Sequence, residues 1–226
     1  MTNYNNLENT EKWNSIFANA SSHPWESAVD HNIVDWFSKQ NIVSGTVLEL
    51  GCGADPVNAV WLQKRGLDVT AIDISDVAII SALSKTENSR IKLQATDILK
   101  NSFEENNFDY VVDRGCFHTY DFDGSLRHAF AKSVSKVLRP NGIWLSISGR
   151  DFKSMSADTL SKLSALNLSI IPHQLSVEDI VSSIDPYLSI VSINSTTMNL
   201  YNKTVDWPSR LVISKKNKSY SPVAQR

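Results

Sequence analysis

Gly51-Cys52-Gly53 closes one apolar run, Thr46 to Leu50, and Asp73 closes the next. These residue types in this order build a nucleotide-type cofactor site at the carboxyl edge of a parallel sheet. Glycines let the backbone come close to a ligand, and an acidic side chain accepts hydrogen bonds from ribose hydroxyls. Pro56 stands where a Gly-x-Gly-x-x-Gly fingerprint needs its third glycine. A pyrophosphate therefore fits poorly, and a phosphate-free cofactor carrying adenosine fits better. Beyond Asp113, His118 is the histidine nearest a candidate site edge. An imidazole takes up a proton near neutral pH, so His118 is a candidate for deprotonating an acceptor. Cys116 is a poorer nucleophile candidate, because no Cys-His-Asp arrangement accompanies it.

Bringing these residues together requires strands that end on one edge. Strands are expected at 46–50, 69–72, 91–95, 108–113 and 143–147, each but the last ending near a candidate site residue. Helices are expected between them. Asp55 or Pro56 starts one with Val57, Val60 and Trp61 inward, and Gly66 stops it. Ser75 or Asp76 caps the next, with Val77, Ile80 and Leu83 inward. A third runs from Ser125 to Leu138 and presents Leu126, Phe130, Val134 and Val137. Arg139-Pro140-Asn141-Gly142 reads as a turn. Strand–helix units with short connections point to a parallel sheet covered on both faces.

Residues 1–10 are rich in Asn and read as mobile. Trp13, Ile16 and Phe17 share one face of a short helix that His23-Pro24-Trp25 breaks, and a second helix fits 27–40. In the distal third, a helix is expected at 157–166. Ser176 with Asp179 caps another that runs to Ile184. Strands from Tyr187 to Ser195 and from Leu211 to Ser214 would pair antiparallel at a sheet edge. Three segments of one domain follow: an N-terminal helical lid at 1–44, the cofactor-binding domain at 45–216 and a polar tail at 217–226.

A chain of 226 residues fits one domain with a large core. The 22 Lys plus Arg nearly balance 24 Asp plus Glu, with no basic stripe, which argues against a dedicated nucleic-acid binder. Cys52 and Cys116 form neither a disulfide framework nor a zinc signature. His23, His128 and His173 make no tight ligand cluster, so no metal is expected. No apolar stretch spans a bilayer and no secretory signal is visible, so the expectation is a cytoplasmic protein without membrane contact, monomeric or weakly dimeric.

The set Glu49-Leu50-Gly51-Cys52-Gly53, Asp73-Ile74-Ser75, Thr96-Asp97, Asp113 and Leu138-Arg139-Pro140-Asn141-Gly142 resembles the class I S-adenosylmethionine-dependent methyltransferases, over about residues 25–214. Asp113-Arg114-Gly115-Cys116-Phe117-His118 and Pro24-Trp25 look like the small-molecule branch, similar to thiopurine, halide and thiol methyltransferases. The resemblance implies an α/β, doubly wound, mostly parallel seven-stranded Rossmann-like sheet. Helices would cover both faces, and the chain would end in an antiparallel hairpin. It implies S-adenosyl-L-methionine as cofactor. Gly51, Cys52 and Gly53 would approach its amino-acid portion and Asp73 its ribose. Asp97 and Ile98 would flank its adenine, with Ile74 close by. Asp113 and Arg114 would stand beside its methionine end, and Trp25 would close over it. Trp13, Cys116, Tyr120, Arg150 and Phe152 would line the acceptor pocket. One departure is Ala54-Asp55, where the family usually places a further glycine. The implied reaction is methyl transfer to a small molecule, a thiol or heteroaromatic metabolite. The alternatives are a tRNA or protein acceptor, or a cofactor-binding module without turnover.

Overall fold

The computed structural model describes residues 6–19, 25, 28–100, 102–120, 124–149, 157, 161, 175–200 and 205–217. Seven strands form one sheet: β1 Thr46–Leu50, β2 Asp68–Asp73, β3 Lys92–Ala95, β4 Phe108–Arg114, β5 Leu138–Gly149, β6 Ser189–Leu200 and β7 Val205–Lys215. Their order across the sheet is β3-β2-β1-β4-β5-β7-β6. Pairing is parallel from β3 to β5, and β7 runs antiparallel to both β5 and β6. The sheet is thus the doubly wound form with a terminal hairpin. Strand order reverses at β1, which lies between β2 and β4. The crevice outside the carboxyl ends of β1 and β4 is where ligands bind in such sheets.

Alternating β1 residues feed two cores. Val47 packs with Ala59 and Leu62 of α3 (Val57–Lys64) and with Ile33 and Phe37 of α2 (His31–Lys39). Leu48 and Leu50 pack instead with Phe130 and Val134 of α5 (Ser125–Val137) and Ile180 of α6 (Val177–Ile184). Apolar residues on both faces of the central strands explain their unbroken hydrophobic runs. The expected Ser176–Asp179 pair is a full capping box, each side chain bonding the other's backbone N–H.

Several expectations need correction. α1 spans Asn6–Asn19, so residues 6–10 are helical. α2 begins at His31, not at residue 27, because the Asp30 side chain caps it by accepting the Asn32 N–H. α3 starts beyond Pro56 without a side-chain cap, and its buried residues are Asn58, Ala59 and Leu62. In α4 (Asp76–Lys85) the buried residues are Ala78, Ile79 and Ala82, whereas Ile80 is 67% and Leu83 51% exposed. Small side chains let α4 sit close to Phe17 and Ala54, and that contact selects the buried stripe. The expected turn at Arg139–Gly142 lies inside β5. There the Asn141 N–H donates to the Lys216 carbonyl, and Asn141 takes a φ of 69°. The hairpin strands are also longer than expected, since β7 is held by a strand on each side. The expected helix at 157–166 lies almost wholly outside the described residues.

Candidate functional site

The floor of the site is the turn after β1. Gly51 and Gly53 have φ of 68° and 66°, the left-handed region that favours glycine. A side chain at Gly51 would place its Cβ 3.0 Å from both Cβ and Sγ of Cys116. The turn is tied to β2: the Cys52 N–H donates to the Ile72 carbonyl at 3.0 Å, and the Gly53 N–H donates to Asp73 Oδ2 at 3.0 Å. Asp73 Oδ1 accepts the Ser75 N–H at 2.9 Å. Asp73 therefore fixes the glycine turn and the start of α4 while standing at the lip of the cavity. Burial pushes its carboxyl up to about 6, against the pull of the Ser75 and Gly53 N–H groups.

Above this floor lies a cavity whose empty space, counting its open mouth, is about 1070 Å³. Gly51, Gly53, Asp73, Ile74, Asp97 and Ile98 line one part of it. Arg114, Cys116, His118 and Tyr120 line another, together with Gly115 and Thr119. Trp13, Phe17 and Trp25 roof it. Their ring centroids stand 6.1–6.2 Å apart, with Trp25 edge-on to the other two. Asn14 on α1 meets the α4 cap, its Oδ1 accepting the Ser75 hydroxyl at 2.6 Å. Met198 and Leu200 of β6 and Trp207 of β7 complete an apolar wall that no local signal in the sequence revealed.

A second, smaller cavity shares Trp25, Gly51, Gly53 and Arg114 with the first, and also touches Cys52 and Glu49. Glu49 Oε1 accepts the Asn58 side-chain N–H at 3.1 Å, while Oε2, also buried, has no hydrogen-bond partner. Burial pushes this carboxyl up to about 7, opposed by Asn58, the Ala59 N–H and the Arg114 charge. Asn58 in turn accepts the Asp30 N–H at 2.9 Å, and Asp30 Oδ2 accepts Arg114 Nε at 2.8 Å. Arg114 also donates to the carbonyls of Trp25 (2.9 Å) and Asn199. It thus ties the N-terminal segment to β4 and β6. Sequence reasoning did not single out Glu49 and Asn58, which line the second cavity, or Asp30, which links them to Arg114, since they are spread over three elements.

Asp113 lies outside both cavity walls, in contrast to the expected place beside the cofactor. Its Oδ1 accepts the Phe117 N–H at 3.0 Å and its Oδ2 accepts Trp144 Nε1–H at 2.9 Å, so its carboxylate points into the sheet's core. It fixes the 3-10 turn Phe117–Thr119 that carries His118. The imidazole is buried, and its Nδ1 accepts the Gly149 N–H at 2.7 Å. Burial raises the Cys116 and Cys52 thiols well above their ordinary range, so both stay protonated. Arg150 and Phe152 lie outside the described residues. Among the described residues, no three His, Cys, Asp or Glu side chains group to hold a metal, and no helix is long and apolar enough to cross a membrane.

These residues fit the adenosine-bearing cofactor that the sequence implies. The Gly51 cradle has no room for a Cβ. Asp73 offers a buried carboxylate at the cavity lip, able to accept from hydroxyls. Glu49, with one oxygen lacking a hydrogen-bond partner, borders the second cavity. The aromatic roof suits a sulfonium cation.

The family model described as "Methyltransferase domain" matches residues 48–146. An uncharacterized methyltransferase of Schizosaccharomyces pombe is 35% identical over 101 residues, which is 41% of this chain and 69% of that protein. Phosphoethanolamine N-methyltransferase 2 of Caenorhabditis elegans is 30% identical over 116 residues, 49% of this chain and 25% of that one. A solved structure described under conversion of a disulfide bond into a thioacetal group during echinomycin biosynthesis superposes with a TM-score of 0.79. It is 25% identical, over 93% of this chain and 94% of its own. Geranyl diphosphate C-methyltransferase from Streptomyces coelicolor, solved with S-adenosyl-L-homocysteine, shares the fold at a TM-score of 0.66 and 11% identity, covering 96% and 99% of the two chains.

Proposed function

The chain belongs to the class I S-adenosylmethionine-dependent methyltransferases, and on that premise we propose that its acceptor is a small, largely apolar molecule, a thiol or a heteroaromatic metabolite. S-adenosyl-L-methionine is the cofactor. The observation that carries the proposal is the acceptor side of the cavity. It is walled by Tyr120, Met198, Leu200 and Trp207, with Trp13 of the α1 roof above them. An apolar wall suits a small apolar ligand better than a polyanion.

When bound, S-adenosyl-L-methionine supplies an electrophilic methyl group on a sulfonium sulfur. The chain's own residues hold and align. Asp73 accepts the ribose hydroxyls, Asp97 and Ile98 take the adenine side, and Glu49 Oε2 receives the ammonium of the amino-acid end. Trp13, Phe17 and Trp25 exclude water, which would otherwise compete as a nucleophile. α1 acts as the lid of the same domain, pinned at Asn14–Ser75.

Transfer of labelled methyl groups tests this reading. Small thiols, heteroaromatic thiols, amines and phenols are compared with bulk tRNA and peptides. Turnover confined to small acceptors is expected. Turnover confined to tRNA or peptides overturns the small-molecule reading, and S-adenosyl-L-homocysteine binding without any turnover overturns both.

A further inference from the structure

Glu49 is a buried acid whose nearest cation is engaged elsewhere. It is 3% exposed, near the end of β1, and it lines the second cavity beside the Gly51–Gly53 turn. Oε1 accepts the Asn58 side-chain N–H at 3.1 Å, and Oε2 has no hydrogen-bond partner. The positive charge that reaches Glu49 is that of Arg114. Its guanidinium is held by Asp30, with Nε 2.8 Å from Oδ2, and by the carbonyls of Trp25 and Asn199. Arg114 and Asp30 neutralise each other and leave Glu49 without a counter-ion. A buried carboxylate in that position is costly, and taking up a proton removes the cost.

The groups that face this carboxyl come from every element around it. α3 supplies the neutral Asn58 amide and the Ala59 N–H. β2 supplies Asp73, a second acid, whose charge opposes ionisation of Glu49. The turn supplies the Cys52 thiol, which burial keeps protonated. On the cavity wall, Asp55 adds another acid, paired at the surface with Lys85 at 3.8 Å. β4 supplies Arg114, already shared with Asp30. Acids thus outnumber cations here, and burial pushes Glu49 up to about 7. The cavity beside it is set to receive a cation.

We propose that Glu49 exchanges its proton for the ammonium of the cofactor's amino-acid end, so that cofactor binding releases a proton and the site selects nucleosides that carry a free amino group. This rests on the placement of that ammonium at Glu49 in the reading above. The carboxyl O–H bond breaks, its electron pair stays on the carboxylate, and the proton leaves to solvent. The carboxylate then accepts N–H bonds from the ammonium. Below the pH at which the empty site takes up its proton, the ligand competes with that proton. Affinity therefore falls as pH falls, by at most about tenfold per pH unit for one exchanged proton. Asp73 is a second buried acid, on the main cavity, and its own proton uptake must be separated from that of Glu49.

Calorimetry of the full chain in buffers of different ionisation enthalpy counts the protons. Two probes separate the two acids: S-adenosyl-L-homocysteine, and 5′-methylthioadenosine, which keeps the adenosine and the thioether but lacks the amino-acid end. At about pH 6.5, S-adenosyl-L-homocysteine is expected to release about 0.5–1 proton more than methylthioadenosine. Between about pH 7.5 and 6 its Kd should rise about 5- to 10-fold more than that of methylthioadenosine. Glu49→Gln should abolish both differences while leaving the methylthioadenosine Kd unchanged, which shows that the adenosine side and the fold survive. The comparison of the two ligands on the unmodified chain needs no variant. Equal proton release by the two ligands, with S-adenosyl-L-homocysteine still the tighter, overturns the exchange and spares the placement of the cofactor. An excess that survives in Glu49→Gln assigns the proton to another group and also overturns it. S-adenosyl-L-homocysteine binding no tighter than methylthioadenosine overturns the placement of the ammonium itself. Acceptor turnover enters none of these outcomes, so the small-molecule reading stands or falls separately.

Discussion

The floor and the roof of the cavity are built on different principles. The floor is backbone: the Gly51–Gly53 turn, the β2 carbonyl of Ile72 and two N–H groups converging on Asp73. The roof is side chains: three aromatic rings on and beyond α1, packed on one another and pinned by the Asn14–Ser75 contact. Floor geometry is set by hydrogen bonds with narrow tolerance. Roof geometry is set by dispersion and ring contacts, which accept many arrangements at similar energy. The floor therefore suits recognition of one invariant cofactor. The roof suits closure over acceptors of varied shape.

The largest effect should come from breaking the floor. Gly51→Val introduces a Cβ 3.0 Å from Cys116 at a φ of 68°. S-adenosyl-L-homocysteine binding by calorimetry should fall more than about 100-fold, the cost of strain plus a filled cradle. Retained affinity would mean that the turn does not touch the cofactor.

Next is Asp73→Ala. Removing a charged hydrogen-bond acceptor costs about 1.5–3 kcal/mol, or roughly 10- to 150-fold in Kd. Circular dichroism should show the fold intact. An unchanged Kd would leave Asp73 as a purely structural tie between the Gly53 turn and α4.

The roof should be more forgiving. Trp13→Ala should raise the cofactor Kd by about 2- to 30-fold, the span of cation–π energies from exposed to desolvated sites. It should also change the ranking of acceptors. A loss as large as that of Gly51→Val would erase the distinction between floor and roof.

A last effect, on stability rather than binding, concerns pH. Glu49, Asp73 and Asp113 have folded values of about 7, 6 and 6, against unfolded values of 4.5, 3.8 and 3.8. Between about pH 4 and 7 the folded chain therefore binds more protons than the unfolded chain, and stability rises as pH falls through that window. Asp109 runs the other way. Partial burial is outweighed there by the Thr46 N–H and Arg139, which hold it below its ordinary value, so its contribution is lost only at lower pH. The ligand-free chain should therefore be more stable at about pH 5.5 than at about pH 7.5, read as a higher Tm. A lower Tm at pH 5.5 would show that the floor carboxylates are paired rather than merely buried.

Much of the floor was legible in the sequence, because its parts are local. A glycine turn, an acid at a strand end and a serine cap each need only a few consecutive residues, and Gly51, Gly53, Asp73 and Ser75 stand as expected. The roof was legible only as Trp13, Phe17 and Trp25. Their meeting depends on how α1 docks on α4. The α4 stripe shows the limit: Ile80 and Leu83 recur at helical spacing as well as Ala78 and Ala82 do, and only the space beside Phe17 and Ala54 chooses between them.

By itself, the sequence determined the order of strands and helices, the glycine turn and the acid that serves it, since hydrophobic period and turn chemistry act over short spans. Tertiary structure alone decided which buried groups face one another. Glu49, Asn58, Asp30 and Arg114 come from four separate segments, and their chain of hydrogen bonds exists only once the sheet has closed. The Gly149 N–H reaches His118 Nδ1 for the same reason. Neighbouring parallel strands bring together groups that lie far apart along the chain, and no pattern of spacing encodes which nitrogen then keeps the proton.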